Sequence, residues 1–91
     1  MKEEFDKIKI LESLRLMLSD IKPALPKDIS PDDHFKETWQ LDSLDLIEFA
    51  ARIEYQFQII IPDEDLKELY SLHSILSYLK FRLIPKLQHG Q

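Results

Sequence analysis

The chain of 91 residues has no cysteine and a single glycine, Gly90. Without cysteine there is neither a disulfide nor a thiolate metal site. With glycine confined to position 90, any left-handed backbone position before it must be occupied by a residue with a side chain, at a steric cost. Histidine is scarce: His34, His73 and His89 are scattered and lack metal-ligand spacing, so no metal is expected. No apolar run approaches the ~18 residues of a membrane-spanning helix. The opening MKEEFDKIK is too polar for a secretory leader. These absences point to one soluble, cytoplasmic domain over 1–91, with a core at about 5–84 and a frayed tail at 85–91; a monomer is expected. A domain this small buries only about 60–65% of its unfolded surface, so its stability is modest.

Charge is present but uneven. The net charge is −5, yet residues 28–68 hold twelve acidic side chains against Lys36, Arg52 and Lys67, a local −9 that leaves +4 for the rest. An acidic middle disfavours nucleic acid as a partner, which requires neutralising cations. It suits docking onto basic protein surfaces, although any single carboxylate is more simply a solvated surface group.

Helical periodicity dominates. Over 3–21, Ile8, Ile10, Leu11, Leu14, Met17, Leu18 and Ile21 share one side of a 3.6-residue wheel, with Phe5 and Leu16 off it. Pro23 ends that helix. Residues 22–41 form a long connection packed down by Ala24, Leu25, Ile29, Phe35 and Trp39, and SPDD at 30–33 forms a single turn capped by Ser30. A second helix spans 43–57, with Asp42 as its N-cap and a core stripe of Leu46, Ile47, Ala50, Ile53 and Phe57. QIIIP at 58–62 reads as an extended linker, because no second strand is there to pair with it. Pro62 and Asp63 open a short helix through about Leu69. Ser71 caps a last helix over about 72–84, with Leu72, Ile75, Leu76, Leu79 and Leu83 as its stripe. The fold class is therefore all-α: a small four-helix bundle of three longer helices and one short one, with a long loop between helices one and two.

One hydroxyl stands out. In QLDSLDLIEF, Ser43 lies between Asp42 and Asp45. Ser and Asp are common at helix starts, and first-turn acids suit the helix dipole, so capping alone accounts for much of this pattern. Asp42 already fills the cap, however, which puts Ser43 at the first helical position with its hydroxyl free. A nucleophilic serine is the weaker alternative: there is no G-x-S-x-G, and carboxylates do not deprotonate a serine. No residue is assigned a catalytic role. The third reading is covalent attachment. A phosphate-linked group on Ser43 would sit where helix N–H groups favour anions.

LDSLDLIEF followed by FQIIIPDED resembles the acyl carrier proteins, members of the phosphopantetheine-binding carrier family. That family has a D-S-L core at the start of helix two and a Phe-x-Ile-x-Ile-Pro-Asp-like segment about fourteen residues on, matched here by Phe57, Ile59, Ile61, Pro62 and Asp63. The resemblance covers about residues 5–84. It implies that a phosphopantetheinyl transferase attaches 4′-phosphopantetheine to Ser43 and that the arm's thiol carries an acyl group as a thioester. The chain is then no enzyme. It delivers an intermediate to acyl-transferring or acyl-activating enzymes of fatty-acid, polyketide or specialised lipid biosynthesis, which present basic docking surfaces. The resemblance further implies a partner-binding face of Asp42, Leu44, Asp45, Ile47, Glu48, Ala51 and Glu54. Leu46, Ile61, Leu66, Ile75 and Leu79 are plausible acyl-chain lining, and equally plausible as ordinary core. Two departures stand out. Trp39 and Gln40 replace the family's usual Leu-Gly, and Arg52 sits where the family is neutral or acidic. A D-alanyl or peptidyl carrier, or an unmodified helical interaction module, are the alternatives.

Overall fold

The computed structural model describes residues 5–88, with side chains through residue 83. The order is α1 (Lys7–Ile21), α2 (Ser43–Phe57), a 3-10 helix η1 (Asp63–Glu68) and α3 (Leu72–Gln88), with no strand among the described residues. This is a small all-helical bundle. α1 packs on both α2 and α3, and η1 bridges α2 and α3.

α1 begins at Lys7 rather than at residue 3, because the Asp6 carboxylate accepts the Lys9 N–H at 3.1 Å and fixes the start. Leu14 and Leu18 are buried, whereas Ile8, expected on the core stripe, is 71% exposed. At 100° per residue Ile8 lies roughly 120° round the wheel from Leu14, on the edge of the buried arc. Phe5 packs against the core although it is off the wheel, since it precedes the cap and escapes helical geometry. The helix closes with the Lys22 N–H on the Leu18 carbonyl, ahead of Pro23.

The long loop is knitted to the bundle. Ile29, Phe35 and Leu41 are buried; Ala24, expected to pack, is exposed. Arg15 donates to the Ile29 carbonyl at 2.7 Å, Phe35 N–H to the Tyr70 carbonyl at 2.8 Å, and His73 N–H to the Pro31 carbonyl at 2.9 Å. The expected turn at 30–33 forms, with the Ser30 hydroxyl accepting the Asp32 N–H and the Asp33 carboxylate accepting the Ser30 N–H.

α2 buries Phe49, Ala50 and Ile53 and leaves Ile47 51% exposed. The buried arc is therefore turned away from Ile47, which sequence periodicity placed in the core. The cause is the loop: Phe35 packs edge-on against Phe49 at 5.8 Å and draws that flank inward. Left-handed Gln58 (φ 58°) ends the helix. The linker then runs inward and outward in turn, with Ile59 half-buried, Ile60 exposed and Ile61 buried, as extended backbone does. Glu54 accepts the Ile61 N–H at 2.7 Å, and Arg82 donates to the Ile60 carbonyl at 2.7 Å.

α3 is capped by Ser71, whose hydroxyl accepts the Ser74 N–H at 3.0 Å. Leu72, Ile75, Leu76 and Leu79 are buried. The helix continues to Gln88, not 84, passing through Pro85. Proline removes one N–H from the ladder, and here that missing rung falls in the final turns; residues 89–91 of the expected tail lie outside the described residues. Tyr78 donates to Asp65 at 2.6 Å and receives a bond from Arg82, so one α3 side chain holds η1 in place. Burial and the Asp65 carboxylate push the Tyr78 phenol up to about 12.

Candidate functional site

The site is built by one unusual residue. Gln40 adopts φ 59°, the left-handed region that glycine would occupy without penalty. Its N–H donates to the Lys36 carbonyl and the next N–H, of Leu41, returns to the Phe35 carbonyl, both at 3.0 Å. This reversal turns Leu41 into the core, where it is buried, and delivers Asp42 to the start of α2 in extended geometry. Trp39 steadies the turn through its indole N–H on Asp33 at 3.2 Å.

Asp42 and Asp45 form a reciprocal capping box: Asp45 N–H to Asp42 at 2.9 Å, and Asp42 N–H to Asp45 at 3.1 Å. The capping box is therefore complete without the Ser43 hydroxyl. Ser43, at the first helical position, is exposed, and its hydroxyl has no hydrogen-bond partner among the described residues. The backbone N–H of Asp42 and the Lys22 ammonium, 3.2 Å away, hold the Asp45 carboxyl below its ordinary range against a smaller opposing effect of burial.

Among the described residues, no side chain hydrogen-bonds this hydroxyl to activate it as a nucleophile. His34 shares its cleft, but His34 Nδ1 accepts the N–H groups of Lys36 and Glu37, both at 3.2 Å. That nitrogen is therefore engaged by the loop backbone, and no hydrogen bond joins His34 to Ser43. Among the described residues no group of three or more His, Cys, Asp or Glu is placed to hold a metal ion, and no helix is long and apolar enough to cross a membrane.

The acids expected on the partner-binding face fare differently from one another. Asp42 is exposed beside Ser43. Asp45 is occupied by the cap and by Lys22. Glu48 pairs with Arg52 at 3.0 Å, and Arg52 also pairs with Asp20. Glu54 is turned to the linker. The apolar members are open: Leu44 is 75% exposed, Ile47 half-exposed, Ala51 exposed. Tyr55, one turn further on and 83% exposed, extends this ridge; its i+11 spacing from Leu44 was the available signal for it.

Ser43 stands at the lip of a cleft of about 490 Å³ between the loop, α2 and η1. Of the expected lining residues, Leu46 and Leu66 face this cleft. Ile61, Ile75 and Leu79 do not; they are buried in the core. Phe35 and Leu69 complete the apolar floor, and His34, stacked on Tyr70 with ring centres 5.7 Å apart, lies at the rim with Lys36 and Lys67.

A family model described as a phosphopantetheine attachment site matches residues 12–79. The chain is similar to an acyl carrier protein of Thermobifida fusca, 27% identical over 71 residues that cover 78% of this chain and 90% of the relative. It is 30% identical over 70 residues to an acyl carrier protein of Thermosynechococcus vestitus, covering 77% and 86%. It is 38% identical over 66 residues to a putative mitochondrial acyl carrier protein of Schizosaccharomyces pombe, covering 72% and 59%.

Proposed function

The chain belongs to the acyl carrier protein family, whose shared domain is a phosphopantetheine attachment site, and we propose from this that Ser43 is the residue that carries the 4′-phosphopantetheine arm. The observation that carries the assignment is the free hydroxyl: Asp42 and Asp45 complete the capping box between them, and the Ser43 side chain is left exposed and unengaged. A separate transferase attacks coenzyme A's pyrophosphate with this hydroxyl, forming the serine phosphodiester and releasing adenosine 3′,5′-bisphosphate. The cysteine-free chain thereby gains its only thiol. An acyl group held there as a thioester stays at high local concentration for each docked enzyme.

The docking face is the ridge Leu44, Ile47, Ala51 and Tyr55, bordered by Asp42, Asp45 and Glu48. Apolar contacts of this kind supply the buried centre of an interface, while the surrounding acids chiefly raise the association rate. Arg52, held across Asp20 and Glu48, offsets part of the negative charge of this border and so favours partners with fewer cations there. Glu54 is assigned to anchoring the linker instead. The cargo is an acyl intermediate of lipid or related biosynthesis. The relatives include one named as mitochondrial, so family membership is compatible with the cytoplasm or an organelle alike.

The test is incubation with coenzyme A and a phosphopantetheinyl transferase, followed by intact mass measurement. A gain of one phosphopantetheine that Ser43→Ala abolishes supports the assignment. A gain that survives the substitution refutes it.

A further inference from the structure

We propose that Lys36 and Lys67 clamp the phosphodiester at the root of the arm, parking the arm on the cleft beside Ser43. This rests on Ser43 being the attachment residue.

Residues 28–68 contain only three basic side chains among twelve acidic ones. Arg52 is consumed by Asp20 and Glu48. The other two come from distant positions, Lys36 from the loop and Lys67 from η1, and both line the cleft that Ser43 borders. Among the described residues no carboxylate lines that cleft, although acids dominate the segment. Neither lysine has an ion-pair partner among the described residues. Two lysines without ion-pair partners on one cleft make its potential positive, and an anion seated there lowers that energy. The anion most certain to arrive is the diester formed on Ser43 itself, which carries one negative charge. It lies next to the first turn of α2, whose dipole adds to the attraction. His34 lines the same cleft, and the apolar floor of Leu46, Leu66 and Leu69 suits the hydrocarbon part of the arm. Asp45, in the first turn of α2, is offset by Lys22. The clamp is made of exposed charges, so salt and a docked partner both loosen it.

The experiment uses the full chain loaded with the arm, with loading verified by intact mass and by its loss in Ser43→Ala. The phosphorus NMR line of the diester is compared for wild type, K36Q/K67Q and K36R/K67R. At low salt the wild-type and arginine lines are expected to be about 1.5-fold broader than the glutamine line, the ratio between rigid and flexible order parameters. The difference should vanish near about 1 M NaCl, where the Debye length is about 3 Å. Matching melting temperatures of the unloaded forms verify that the substitutions leave the fold intact. Equal linewidths in all three loaded proteins overturn the clamp while leaving Ser43 as the attachment residue. Absence of the mass gain on Ser43 overturns the attachment reading and the clamp with it. A last arm compares butyryl with succinyl cargo. Lysine dependence seen only with succinyl shows that the pair reads a cargo carboxylate, and this also overturns the clamp.

Discussion

Replacing Gln40 tests whether a left-handed backbone position builds the site. A non-glycine residue there carries about 1–2 kcal/mol of strain. Gln40→Gly removes the strain but returns about 0.4–1 kcal/mol through the larger entropy of the unfolded chain. The net expectation is stabilisation of up to about 1.5 kcal/mol. Gln40→Val goes the other way, because a β-branched residue is a true outlier at positive φ; a further loss of about 1 kcal/mol is expected. The side chain of Gln40 is exposed, so contacts contribute little to either change. Glycine and valine should thus differ by about 2 kcal/mol, or roughly 8–16 °C in melting temperature for a domain of this size. Thermal and urea unfolding of the unloaded protein measure this, with an unchanged urea m-value to show that only stability moved. The order Gly, Gln, Val from most to least stable is the predicted result. A valine variant as stable as the glycine variant refutes the reasoning.

Asp45 titrates below its ordinary 3.8 in the fold. Its contribution is therefore fully present above that value and is lost as pH falls through the lower, folded pKa; Asp45→Asn should flatten the acid limb of a urea-unfolding pH series. Tyr78 shows the opposite sign: with the folded phenol near 12 against an ordinary 10.0, its share of stability holds below pH 10 and declines above it. An ultraviolet titration should show one tyrosine ionising last, Tyr78→Phe should remove that step, and the lost bonds to Asp65 and Arg82 should cost about 1–3 kcal/mol in unfolding. Leu44→Ala and Glu48→Lys should each leave stability within about 0.5 kcal/mol yet slow enzymatic loading of the arm at low salt; loading at the wild-type rate would remove the α2 ridge from the docking face.

The local signals in the sequence carried much of the fold. A cap residue, a proline and a 3.6-residue stripe are each short-range, so α2 with its Asp42 cap, the Ser30 turn and the Ser71 cap were all legible. What escaped depended on distant partners. Ile47 and Phe49 flank the same helix, and only the arrival of Phe35 from the loop decides which turns inward. Ile8 failed because a wheel does not say how far round the neighbouring helices reach. Glu54 reads as one more surface acid until the linker brings the Ile61 N–H to it. At the site, the exposure of Ser43 followed from the cap being already filled. The convergence of Lys36 and Lys67 did not, since 31 positions separate them and nothing local marks either. The departure at Gln40 was visible as a missing glycine, and the structure gives it meaning: the turn retains its left-handed geometry.

The most direct test is tandem mass spectrometry of the protein purified from its native cells, reading which residue bears a modification. Fragments that place a phosphopantetheine on Ser43 are the predicted result. A chain recovered wholly unmodified, or one carrying the group on any other hydroxyl, contradicts the account.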